Sequence, residues 1–350
     1  MKKILNYLIF GILSLFYGSF FIIPSAIFFV LYFIAKYTGL RKIYLDFSFN
    51  VFFHVTSAFL GFYFYEPIII SYNKKILESK RNIIISNHIT LYDWFFFFVL
   101  LKKFNKLSYL KIILKKSLES VPFFGYVMKL YGFIFLNRKL KEDEKILEER
   151  MREITDEEKY SILFFPEGTV IESGTREVSK NYAKQNNVLV DGKEFCHDRV
   201  LLPKKTGFNI ILKELKTFDG IIDCTIGTVP YERYPYQTFT FTEVFLEKKR
   251  SHKFFFVLDY KENNKNLYED TFLYKDFFLK NDFLERVENN NVSNVSDLYN
   301  LHKNFIDSEN ISDIVFDEVC IWKNIYYLLI GGYFTLVGLG FYKLYKFLIN

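Results

Sequence analysis

The chain has 350 residues, half of them hydrophobic and a fifth aromatic, with 43 Phe and 26 Tyr. That is too apolar for an ordinary soluble domain, while the quarter that is charged excludes a bundle of membrane helices throughout. The net charge of +6 favours anionic partners such as phosphate groups or an acidic lipid surface, and no basic stripe argues for nucleic acid.

Ile4 to Ala35 is a run of 32 residues without a charge. As a straight helix it spans about 48 Å at 1.5 Å per residue, against a hydrocarbon thickness of about 30 Å. The segment is therefore either long and tilted or broken near Gly18 and Pro24 into a hairpin that enters and returns. Lys2 and Lys3 before it, and Lys36, Arg41 and Lys42 after it, favour the hairpin with both ends cytosolic. The apolar part is too long for a signal peptide and shows no small-residue cleavage site. A second uncharged run, Phe47–Tyr65, is read as lying in or on the bilayer, which makes residues 1–70 a membrane-embedded region.

Residues 75–215 read as the catalytic domain. Strands are expected at Asn82–Ser86, Phe133–Leu136, Ser161–Phe165 and Val200–Leu202, and helices at Thr90–Lys102, Lys139–Ile154 and Gly174–Gln185. Short apolar strands alternating with helices predict an α/β fold with a largely parallel sheet flanked by helices. Residues 216–320 turn Asn-, Lys- and Phe-rich with weak periodicity and are expected to be irregular. Asn291, Asn294 and Asn310 each begin an N-x-S sequon, unused if this part is cytosolic. Residues 321–350 read as a transmembrane helix, Asn324–Tyr342, with a short basic tail. Cys196, Cys224 and Cys320 are too few and too scattered for a disulfide framework, which fits a reducing compartment. Cys196-His197 has no second pair at zinc spacing, so no metal is expected.

Each expected strand hands over to a polar signal. Asn82–Ser86 leads to His88-x4-Asp93, Phe133–Leu136 to Asn137-Arg138, Ser161–Phe165 to Pro166-Glu167-Gly168-Thr169, and Val200–Leu202 to Pro203-Lys204-Lys205. Ligands of open α/β sheets collect at the carboxyl ends of strands, so four such handovers form one constellation. An Asp that accepts from one imidazole nitrogen fixes the tautomer and leaves the other nitrogen to take a proton. No Ser or Cys stands at a nucleophile-elbow spacing, so His88 is expected to act directly on a substrate alcohol. The plainer reading of Asp93 is the third residue of a capping box begun by Thr90; both roles can hold together. Arg138 suits bidentate binding of a phosphate. Glu167 either orders Arg138 or accepts from a substrate hydroxyl. Lys115 and Lys116 are candidates for the phosphates of a nucleotide-bearing donor, with solvated lysines the equal alternative.

The ordered set "NHITLYDW", "GFIFLNR", "FFPEGT" and "LLPKKTGF" resembles the glycerolphosphate and lysophospholipid acyltransferase superfamily, whose blocks are NHxxxxD, GxxFxxR, PEGT and a proline-centred fourth. "KKSLESVPFFGYVMKLYGFIFLNR" and "IIDCTIGT" look most like the acyl-CoA:lysocardiolipin and lysophosphatidylinositol branch. The resemblance implies His88 as base with Asp93 orienting it, and Arg138, Glu167, Gly168 and Thr169 holding the acceptor phosphate. Pro203 and Lys204 would complete the acceptor pocket. Acyl-CoA is the implied co-substrate, with no cofactor, no metal, no acyl-enzyme, and membrane lipids as partners. It also implies an integral membrane protein, by default of the endoplasmic reticulum, with the catalytic domain facing the cytosol. Two departures stand out. Val170 replaces an Arg common after the third block, which suits a headgroup bulkier than lysophosphatidic acid, and Lys204 stands where Arg is usual. The alternatives are an acyltransferase for lysophosphatidic acid, a non-catalytic membrane lipid-binding protein, and a metal-dependent phosphohydrolase on His88, Asp93 and Cys196-His197.

Overall fold

The computed structural model describes residues 2–64, 66–121, 124–137, 139–195, 197–247, 252–305, 314–319 and 346. Two apolar helices, α1 (Lys2–Tyr37) and α2 (Arg41–Tyr63), run back on each other through a turn at which Gly39 takes φ +77°. That left-handed conformation is open to glycine at no steric cost. The Tyr17 ring stacks on Phe59 with centroids 4.6 Å apart, and its hydroxyl meets Thr56 Oγ1 at 3.1 Å. A hairpin is therefore present, but not where it was expected. α1 passes through Gly18 and Pro24 as one 36-residue helix and turns at Gly39 instead. A proline removes one backbone hydrogen bond and kinks a helix, while apolar residues on both sides keep the rest of the ladder favourable.

Among the described residues, α2 is long and apolar enough to cross a bilayer, yet 61 % of its apolar window is buried inside the protein. Phe49 stacks on Tyr131 at 4.4 Å and meets the edge of Phe98 at 5.6 Å. Much of the 47–65 run is thus core rather than lipid-facing surface. On α1, Ile4, Leu5, Leu8, Ile12 and Leu15 are exposed.

The sheet follows. Its strands are β1 (Ile68–Asn73), β2 (Arg81–Ser86), β3 (Leu110–Lys115), β4 (Ile134–Leu136), β5 (Tyr160–Phe164), β8 (Gly220–Val229), β9 (Lys253–Glu262) and β10 (Ile314–Val319). Their spatial order is β10-β1-β9-β8-β2-β5-β3-β4, and β6 (Leu189–Val190) and β7 (Lys193–Glu194) form a separate small hairpin. β2 pairs in parallel with β5 and β8, β3 with β4 and β5, and β1 with β9; β8–β9 and β1–β10 are antiparallel. The expected largely parallel α/β sheet is borne out. The Ile83–Ile85 run makes β2 a central strand buried on both faces, as β-branched residues favour. Ile84 joins the core under α2 and α4 (Asp93–Lys103), while Ile83 and Ile85 join the core beneath α6 (Leu140–Ile154), α8 (Lys205–Glu214) and α10 (Phe272–Asn289). The remaining helices are α3 (Lys75–Glu78), α5 (Phe124–Leu130), α7 (Ser173–Gln185), α9 (Pro235–Thr238) and α11 (Val295–Phe305).

Two expectations fail. Val200–Leu202 is not a strand: residues 201–204 have no regular structure, although Val200, Leu201 and Pro203 are buried. Nor is 216–320 irregular, since β8 lies beside β2, β9 pairs with β8 over ten residues, and α10 and α11 follow. A boundary at 215 therefore cuts through the sheet. The reason is visible in α10, where Asp276, Lys280 and Asn281 occupy buried positions among Phe277, Phe283 and Leu284 and blur the apolar period. The C-terminal helix placed at 324–342, like Cys196, Cys320 and the Asn310 sequon, lies outside the described residues.

Candidate active site

β2 ends at Ser86, and the next side chain does the work of a strand. Asn87 Nδ2 donates to Ile226 O at 2.9 Å, and Asn87 Oδ1 accepts from Ile226 N at 2.8 Å, so β8 fixes the direction in which the chain leaves the sheet. His88 follows at once. Its Nδ1 lies 2.8 Å from Asp93 Oδ2. The same carboxylate, fully buried, accepts from Ile89 N at 2.7 Å, from Thr90 N at 3.1 Å and from Thr90 Oγ1 at 2.6 Å. α4 starts at Asp93 with Tyr92 before it, so Thr90 does not cap it as expected; half of the box remains in the loop, where Thr90 N donates to Asp93, while Thr90 Oγ1 accepts from Tyr92 N. An acceptor so placed holds the proton of His88 on Nδ1 and leaves Nε2 as the basic nitrogen. Phe165, at the end of β5, stacks on the imidazole with centroids 4.4 Å apart, so the ring is braced on one face while the side chain stays about one-fifth exposed.

Glu167 has a different place from the one inferred. It is 2 % exposed, and each carboxylate oxygen has a backbone donor. Oε2 accepts from His88 N at 2.5 Å and Oε1 from Leu201 N at 2.7 Å, tying the first and fourth blocks together. Burial pushes its pKa up to about 8; the two backbone donors and the Lys280 ammonium pull it down, and Asp93 adds to the rise.

Gly168 takes φ +70°, and a Cβ there would stand 3.0 Å from Lys204 Nζ. The glycine therefore lets the Lys204 ammonium lie against the turn, beside half-buried Thr169. Lys204 N donates to Pro166 O at 2.8 Å, so the third and fourth blocks are joined by backbone as well as by Glu167. His88, Asp93, Glu167, Gly168, Thr169, Pro203 and Lys204 are thus gathered on one side of the sheet's carboxyl end. Arg138 lies outside the described residues. Lys115 and Lys116 are exposed at the end of β3, and Lys116 is ion-paired to Glu119, which also holds Lys129. His197 is buried between Phe195 and Phe278, its pKa lowered by burial to about 4. Among the described residues no set of three His, Cys, Asp or Glu side chains is arranged to hold a metal ion.

Several residues around the site escaped the sequence reading. Asn87 and Phe165 stand inside the motifs, beside His88 and Glu167, with no titratable group to mark them. Lys280 and Asn281 carry no motif at all. Lys280 Nζ contacts Asp223 and lies 3.3 Å from Asp276 Oδ2, and Lys261 bonds both aspartates, so a quartet of charges with Asp276 and Lys280 buried and Asp223 and Lys261 half-buried backs the Glu167 side of the sheet. Burial lowers the pKa of Lys280.

Comparison with known proteins points to one family. Residues 68–231 match the family described as Acyltransferase. Lysocardiolipin acyltransferase 1 of Gallus gallus is 34 % identical over 155 residues, covering 43 % of this chain and 39 % of that protein. The same-named protein of Mus musculus is 34 % identical over 164 residues, 46 % of this chain and 40 % of the other. The 2-acyl-1-lysophosphatidylinositol acyltransferase of Saccharomyces cerevisiae is 32 % identical over 215 residues, 50 % of this chain and 53 % of the other. The chain thus spans about half or less of the length of these relatives. The crystal structure of the 1-acyl-sn-glycerophosphate (LPA) acyltransferase PlsC of Thermotoga maritima superposes with a TM-score of 0.50 at 14 % identity, covering 82 % of this chain and 98 % of that one, a likeness of fold.

Proposed function

Because residues 68–231 belong to the acyltransferase family, we propose that the protein moves a fatty acyl group from acyl-CoA to the free hydroxyl of a lysophospholipid, with His88 as general base. The observation that carries this reading is the His88 Nδ1–Asp93 Oδ2 contact of 2.8 Å, made by a carboxylate that also accepts from Ile89 N, Thr90 N and Thr90 Oγ1. As the acceptor oxygen bonds to the thioester carbon, its proton passes to His88 Nε2, and Asp93 stabilises the imidazolium. The C–S bond then breaks, the acyl ester is released, and the leaving CoA thiolate takes the proton back from His88. The step balances with no acyl-enzyme, no metal and no cofactor.

The acceptor is a phospholipid with a headgroup such as inositol or a cardiolipin-type glycerol. The names of the relatives point that way, and buried Val170 leaves the third block without the extra cation expected for a bare phosphate. Lys204, held beside Gly168 and Thr169, supplies the positive charge described at this edge, and the acceptor phosphate is assigned to Arg138 by its guanidinium chemistry. The exposed apolar positions of α1 support a location at a membrane, where such substrates already reside. Each CH2 withdrawn from the bilayer costs about 0.8 kcal/mol, so a site at the surface spares a long acyl chain that transfer. The endoplasmic reticulum, with the site facing the cytosolic pool of acyl-CoA, is the corresponding location.

The test is acyl transfer to lysophosphatidylinositol, lysophosphatidylglycerol, monolysocardiolipin and lysophosphatidic acid by membranes carrying the protein. Preference for lysophosphatidic acid over the other three would replace the proposed acceptor class.

A further inference from the structure

We propose that Asn281, on α10 and outside the residues that match the family, is a positioning residue for the His88 base. This rests on the reading of His88 given above. The segment that enters the fourth block has no strand partner, so its backbone donors need other acceptors. Asp198 N and Arg199 N both donate to Asn281 Oδ1, at 3.2 and 3.0 Å. Leu201 N donates to Glu167 Oε1 at 2.7 Å, Leu202 N to Ser179 Oγ at 2.7 Å and Lys204 N to Pro166 O at 2.8 Å.

Of these acceptors, Asn281 comes first along the segment and is the one supplied by α10. Its helix is fastened at the same place a second time: Arg199, 8 % exposed, bonds Glu288 Oε2 through Nε at 2.9 Å and Nη2 at 2.6 Å and lies 3.5 Å from Glu285. Arg233 bonds the other Glu288 oxygen at 2.5 Å.

The consequence for the base runs through one side chain. Glu167 has two oxygens and two backbone partners, Leu201 N and His88 N, and is fully buried. Its carboxylate can sit in one orientation only while both donors are in place. If the 198–199 backbone is released, Leu201 N, two residues on, drifts from Oε1, the carboxylate rotates, and His88 N loses its acceptor. A displacement of about 1 Å at a catalytic group is enough to slow a reaction on the order of 100-fold, without weakening substrate binding. Asn281 touches neither substrate nor His88. It acts through Glu167.

The experiment uses the full chain in membranes, with oleoyl-CoA and the lysophospholipid the wild type prefers, and compares Asn281→Ala, Asn281→Asp and Asn281→Ser. Asn281→Ala should lower kcat about 10- to 100-fold with both KM values within about twofold. Asn281→Asp keeps an acceptor oxygen at the same reach and should return kcat to within about threefold of wild type. Amide hydrogen exchange provides the second readout: peptides covering 84–92 and 199–203 should exchange faster in Asn281→Ala and not in Asn281→Asp. If Asn281→Ala does not fold, Asn281→Ser, whose shorter hydroxyl misses the two donors, takes its place in the same comparison. Unchanged kcat, or a fall in kcat with 84–92 exchanging as in wild type, overturns the proposal. If the wild type transfers no acyl group, the acyl-transfer reading has failed on its own, and exchange at 84–92 alone decides whether Asn281 reaches His88.

Discussion

The loop around His88 and the segment from Asp198 to Lys204 meet at Glu167, yet they are held by different kinds of contact. Between His88 and Asp93 the bonds that shape the base span three to five residues. Between Asp198 and Leu202 the backbone donors reach acceptors 23 to 83 positions away in the chain. The first part is set by local chemistry and can form once β2 and α4 are in place. The second exists only when α7, α10 and the Glu167 turn have all docked. A site joined from both depends on its weaker half for geometry and on its stronger half for chemistry.

Mutations can separate the two. The largest effect is expected from His88→Ala, which removes the base and should slow transfer on the order of 10³-fold while leaving the melting temperature close to wild type. Asp93→Ala should slow transfer on the order of 100-fold and also destabilise the protein by about 2–3 kcal/mol. The cause is three loop donors left in a buried site without an acceptor, and denaturant titration measures it. An Asp93→Ala protein as stable as His88→Ala would break the claim that one carboxylate serves both loop and base.

Glu167→Gln tests the junction. An amide places an NH2 group where one backbone N–H now donates, so kcat should fall about tenfold. The variant also has a pH signature. The folded-state pKa of Glu167 lies near 8, above its ordinary value of 4.5. The folded form therefore binds more protons than the unfolded one between pH 4.5 and 8, and wild-type stability falls as pH rises through that window. Burial is the first cause of that rise; the Leu201 and His88 backbone donors and the Lys280 ammonium oppose it, and Asp93 adds to it. Glu167→Gln should lose this slope in a melting-temperature series, and an unchanged slope would assign it to another group. The smallest effect is expected from Lys204→Met: because Lys204 is exposed, the acceptor KM should rise only about fivefold, with kcat held.

The same contrast explains what could be read before the fold was known. Ile83–Ile85 announce a central strand, and His88 with Asp93 five positions on announces a dyad, because the residues that cooperate are neighbours in sequence. Val200–Leu202 reads as a strand because the apolar side chains are buried in either case; what differs is where the backbone donors go, to Glu167 and Ser179, and nothing within the run encodes that. Glu167 reads as a partner of Arg138 or of a substrate hydroxyl because it stands in a polar turn at a strand end, and nothing near it announces the backbone donors it holds 34 and 79 positions away. Lys280 and Asn281 are harder still. They sit where a helix would bury apolar residues, so the chemistry that makes them useful also erases the periodicity by which α10 is found.

The central claim is that His88, held by Asp93, is the base of an acyl transfer to a lysophospholipid. The direct measurement is transfer from labelled acyl-CoA in membranes carrying wild type or His88→Ala, offered lysophosphatidylinositol, lysophosphatidylglycerol, monolysocardiolipin and lysophosphatidic acid. The account predicts transfer to at least one of the first three by wild type and its loss in His88→Ala at equal protein level and equal melting temperature. Equal rates in the two, or no transfer to any acceptor, would contradict it and leave a lipid-binding protein in its place.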